Sequence, residues 1–165
     1  MIALSQQRRP PKAAKLFGKA HTVRPDEYES GPLRAQALTE LGRQDEARRA
    51  NELAVECIEK HLELNPDEAR AYSLGASVLI RLGKTKRSKQ WTQQAMTLAP
   101  NDPLILYNAA CNWALLGESD HALDGLERAL DAGVAVGDWI RHDPDFASLR
   151  DHPRFQAIVK RIAPS

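Results

Sequence analysis

The chain has 165 residues, 42% hydrophobic and 27% charged, with a formal net charge of +1. That length and balance fit one modest folded domain. No stretch approaches the roughly 20 apolar residues that span a bilayer, and Arg8 and Arg9 precede no apolar run of the secretory kind. Cys57 and Cys111 have no metal-type spacing and read as inward-facing, reduced thiols of a cytoplasmic protein.

Residues 1–12 are polar and basic and end near Pro10-Pro11. Residues 13–25 read as a lone second helix of a pair, with Ala13, Phe17 and Ala20 on one face and Pro25 closing it. Nothing before them reads as its first helix, so the sequence is read as beginning in mid-repeat. The apolar face left on such a helix is expected to find a partner, a second copy of the chain or a missing upstream segment.

Residues 26–66 form the first full unit. Gly42 separates its helices, and Ala47 and Ala54 follow at five and twelve residues. Gly83 repeats this signal with Ser88 and Ala95, and Gly117, 34 residues further on, repeats it with Ala122 and Ala129. Gly42 and Gly83, however, are 41 apart. The seven extra residues are about two helical turns and preserve the face. They are placed inside the second helix, along Leu53, Ala54, Cys57, Ile58, Leu62 and Leu64.

The unit 67–100 is the clearest. A helix from about Asp67 to Leu82 carries Tyr72, Gly75, Ala76 and Leu79 at three- and four-residue spacing. Gly83 stops it, because glycine accepts the left-handed conformation at a helix end. A second helix from about Thr85 to Leu98 follows, and Pro100 ends the pair. In the unit 101–132, Asp102 is placed to cap a helix that has Pro103 at its first position. Leu106, Ala109, Ala110 and Trp113 make its inward stripe.

After Ala129 the repeat lapses. Residues 133–165 read as an irregular helical cap. Asp138 is placed to cap a short helix through Trp139 and Ile140, and Asp151 a last helix bearing Phe155, Ile158, Val159 and Ile162. A terminal unit that departs from the repeat is expected, because the last helix pair needs a cover. The fold class is all-α, a right-handed α-solenoid of about three and a half helix pairs.

Small residues at helix crossings, a glycine between helices and a proline after the second helix resemble the tetratricopeptide repeat family over about residues 13–132. The tail resembles a terminal region that closes such arrays in bacterial signalling proteins, through Tyr107-Asn108, Ala110-Cys111, Trp139, Asp143-Pro144-Asp145, Leu149-Arg150 and Pro153-Arg154-Phe155. The resemblance implies a non-catalytic scaffold that binds a protein or peptide on a concave face lined by the first helices. In this chain that face would carry Gln36, Arg70, Ser73, Ser77, Arg81, Tyr107, Asn108, Cys111 and Asn112. A carboxylate clamp of the kind some members use is not expected, since only Asn108 matches it. The alternative is the C-terminal regulatory segment of a larger signalling enzyme of nucleotide cyclase or Ser/Thr kinase type.

Charge is distributed unevenly. Residues 1–24 hold six basic and no acidic residues, and residues 25–68 hold five basic and twelve acidic. Residues 69–101 hold six basic and no acidic residues. Lys84, Lys86, Arg87 and Lys89 therefore form a basic patch that would attract an acidic partner, or else pair with acids of neighbouring repeats. No aromatic interleaving points to nucleic acid. His142-Asp143-Pro144-Asp145 reads as a turn, and Asp120, His121 and Asp124 as an exposed helix face. No cofactor, metal, nucleic acid or membrane partner is expected.

Overall fold

The computed structural model describes residues 28–135 and 137–162. The basic arm and the half repeat, with the homotypic contact expected of it, lie outside the described residues. Among the described residues, seven α-helices follow in order: α1 Ser30–Glu40, α2 Gln44–Leu64, α3 Ala69–Arg81, α4 Thr85–Leu98, α5 Pro103–Leu115, α6 Ser119–Asp131 and α7 Pro153–Ile162. Two 3-10 helices, Gly137–Arg141 and Pro144–Leu149, lie between α6 and α7. No strand occurs among the described residues. The helices pack as the pairs α1–α2, α3–α4 and α5–α6, and each pair leans on the next.

The turns follow from backbone geometry. Gly83 has φ 71° and Gly117 φ 77°, values that side chains with a Cβ rarely adopt. At the first, the amide of Gly83 donates to the Ile80 carbonyl (2.9 Å) and that of Lys84 to Leu79 (2.8 Å), which satisfies the orphan carbonyls of α3. Asp102 caps α5 by accepting from the amides of Leu104 and Ile105 at 2.9 and 3.0 Å.

Small residues let the helices approach. Ala71, Ala76, Ala110, Ala122 and Ala129 are all fully buried. A Cβ added at Gly75 would lie 2.2 Å from the ring of Trp91, so that crossing accepts nothing larger than glycine without moving the indole. Ser88 stands where the repeat favours alanine. Its hydroxyl donates to the Ala76 carbonyl at 2.9 Å and so is buried without an unmet hydrogen bond.

Three sequence expectations are corrected. Helix α2 has 21 residues against 14 in α4, but Leu53 and Leu64 of its apolar run face solvent, at 49% and 83% exposure. Only Ala54, Ile58 and Leu62 of that run are buried, with Cys57 half-buried. The residue that opens α7 is His152 rather than Asp151. Pro153 fixes the first helical position, so the His152 carbonyl accepts from Gln156 and its ring Nδ1 from the Arg154 amide. The Asp143-Pro144-Asp145 turn continues as a 3-10 helix that drives Phe146 and Leu149 into the largest core cluster, between α5, α6 and α7.

Candidate functional site

The first helices of the pairs, α1, α3 and α5, line one face of the solenoid. Eight of the nine residues expected there come together around one recess. Gln36 comes from α1; Ser73, Ser77 and Arg81 from α3; and Tyr107, Asn108, Cys111 and Asn112 from α5. Arg70 lies apart. It lines a second recess of about 270 Å³ with Asn108 and pairs with Glu29 at 2.9 Å.

The expected open groove is not what the structure shows at this point. The eight-residue recess holds only about 50 Å³, because Asp143 and Asp145 of the cap enter it. Ser73, Tyr107, Cys111 and Asn112 are buried around it. The Tyr107 hydroxyl donates to Asp143 Oδ2 at 2.7 Å, and the Asn112 amide donates to the Ser73 carbonyl at 3.4 Å. The other Asp143 oxygen accepts from the Asp145 amide at 3.0 Å. The Tyr107–Asp143 bond latches the cap onto α5.

Ligand atoms of Cys111, Asp143 and Asp145 lie within 4.8 Å of one another and are the metal-ligating types of the site. Burial works against ionising the Cys111 thiol, the form that a cation would need. Burial first, then the Asp143 and Asp145 charges, pushes the Cys111 thiol well above its ordinary range. Burial and then Asp143 raise the Asp145 carboxyl, against the pull of Arg81. Both Asp143 oxygens already have donors.

The face stays open beyond the latch. A cleft of about 660 Å³ lies between the C-terminal end of α1, the first turns of α2, Arg81 and Leu82, and Pro144-Asp145 of the cap. Its lining includes Gln36, Thr39, Glu40, Gln44, Asp45 and Asn51. Asn51 is 4% exposed, and its Oδ1 has no hydrogen-bond partner. Sequence reasoning missed this residue. The signal for it was a polar side chain in the inward stripe of Ala47, Ala50 and Ala54.

The basic turn divides. Arg87 pairs with Glu59 of α2 and stands over the Trp91 ring at 5.3 Å, and Lys89 pairs with Glu118. Lys84 and Lys86 remain exposed and are in no ion pair among the described residues. Asp120, His121 and Asp124 do not converge. His121 stacks on Trp113 at 5.1 Å, and Asp124 pairs with Arg154 at 2.6 Å.

Arg154 also grips Glu127 through Nε and a terminal nitrogen, at 3.0 and 2.7 Å, which clamps α7 to α6. Those hydrogen bonds hold the Glu127 carboxyl below its ordinary value. A depressed native carboxyl contributes stability that is fully present above the unfolded pKa of about 4 and is lost as pH falls through the native value. Asp145 runs the other way, since its raised carboxyl burdens the fold at neutral pH and is relieved on acidification. Amide exchange in α7, corrected for intrinsic rates, is therefore expected to speed up relative to α3 between pH 7 and pH 3. Equal change in both helices would show that the clamp adds nothing.

These features define a class: an all-helical solenoid of stacked helix pairs, closed by an irregular cap folded onto one face. The chain carries a tetratricopeptide repeat, for residues 69–102 match the family model of that description. Protein FlbA of Caulobacter vibrioides is 31% identical over 89% of this chain and 27% of its own length. Interferon-induced protein with tetratricopeptide repeats 3 of Mus musculus is 28% identical over 74% of this chain and 30% of its own. The chain thus spans less than a third of these curated relatives. A crystal structure of MamA superposes with a TM-score of 0.52 at 17% identity, over 90% of this chain and 84% of that one. This likeness shows the fold. Among the described residues, no helix is long and apolar enough to cross a membrane.

Proposed function

We propose that the chain is a non-catalytic scaffold that binds a segment of another protein on its concave face, in the part that the cap leaves open. The observation that carries this reading is the cleft of about 660 Å³ walled by α1, α2, α3 and the cap. Nine of its twelve lining residues are polar or charged. Small-molecule sites are mostly apolar and enclosed, so such walls suit an extended chain better. The fold supports the same class, since stacked helix pairs present long concave surfaces to partners. The reading as the regulatory end of a cyclase or kinase draws nothing from the names of the relatives, and the scaffold reading stands first.

Pull-down with the full chain tests the proposal. Replacing Gln36 and Gln44, neutral polar residues of the cleft wall, together with alanine is expected to lose the captured protein, whereas replacing Lys84 and Lys86 leaves it bound. The reverse pattern would move the working face to the turn after α3.

A further inference from the structure

Resting on the scaffold reading, we propose that the cleft recognises a basic segment of its partner, with a lysine or arginine seated between Glu40, Asp45 and Asp145 and donating to Asn51 Oδ1. Carboxylates outnumber cations in the lining of the cleft, three to two. The Asn51 carbonyl oxygen is buried without a donor, and leaving such a group unmet is a cost to the free chain. A ligand that brings an N–H to it recovers that cost.

The carboxylates point the same way. Glu40 accepts only a 3.3 Å hydrogen bond from the neutral Gln36 amide, and Asp45 is in no ion pair among the described residues. Asp145 stands on the opposite wall. Of the two cations in the lining, Arg48 is turned to Glu52 at 3.4 Å. Arg81 alone lies in the field of both Glu40 and Asp145. One arginine facing three carboxylates leaves the cleft negative. The surrounding segment 25–68, with five basic and twelve acidic residues, adds to that field. A negative concavity raises the local concentration of cations and speeds their capture. This assignment differs from the acidic partner that the turn at Lys84 suggests by itself.

Fluorescence anisotropy with labelled, acetylated hexalysine and hexaglutamate on the full chain tests the inference. Hexalysine is expected to bind and hexaglutamate not. The double variant Glu40→Gln/Asp45→Asn should weaken hexalysine binding by about tenfold, the loss of roughly 1.4 kcal/mol. Glu56→Gln/Glu63→Gln, exposed acids outside the cleft, should change it by less than about twofold. Asn51→Leu, of similar size but without the acceptor, should also weaken it while the circular dichroism stays that of the parent. Preference for hexaglutamate, no binding of hexalysine, or equal losses in the two acid variants would overturn the basic preference. Each of those results would leave the scaffold reading to stand or fall on the pull-down.

Discussion

Replacing Phe146 with alanine is expected to destabilise the chain by about 3–5 kcal/mol, the range for deleting a large buried aromatic. The ring is fully buried, with its centroid 5.8 Å from that of Tyr107 and 5.7 Å from that of Phe155. It joins the cap to α5 and α7 in one cluster, so its loss removes contacts on both sides. In a stacked array each unit is stabilised mainly by its neighbours. The cap and α5–α6 should therefore unfold ahead of α1–α4 in the variant. Urea unfolding followed by residue-resolved amide exchange measures both effects. A loss under about 1 kcal/mol would mean that the ring does not hold the cap.

Replacing Tyr107 with phenylalanine is expected to cost about 1.5–3 kcal/mol, the range for a hydrogen bond to a charged group. The variant keeps the ring and its contact with Phe146 but removes the 2.7 Å donor to Asp143, which is 1% exposed. A buried carboxylate then loses one of its two side-chain-accepted bonds. Adding Asp143→Asn, which lifts the charge, should make the second substitution cheaper in the Tyr107→Phe background than alone. A coupling of at least about 1 kcal/mol in that double-mutant cycle is the expected result, and additive costs would contradict the latch.

The parts of the fold legible in the sequence are those fixed by local geometry. Gly83 and Gly117 were readable because a positive φ at a helix end excludes most residues. Asp102 was readable because a capping carboxylate and Pro103 occupy adjacent, fixed positions. Ala76, Ala110 and Ala122 were readable because crossings demand small side chains. What escaped depends on contacts far apart in sequence. Tyr107 meets Asp143 across 36 residues, and no local pattern reveals that the cap folds back onto the concave face. Arg87 and Lys89 find acids 28 and 29 residues away, so the basic turn shrinks to Lys84 and Lys86. Gln36 and Arg81 were placed on the working face from their helix positions, but Asn51 was not, because a second helix was not read as lining the groove.

Site-specific photocrosslinking tests the central claim most directly. A benzoylphenylalanine placed at Gln44, on the cleft wall, and separately at Lys84, on the turn, would be irradiated with the full chain in its native cell extract. The account predicts a discrete protein adduct from position 44 and none from position 84. An adduct from position 84 with none from position 44 would contradict it.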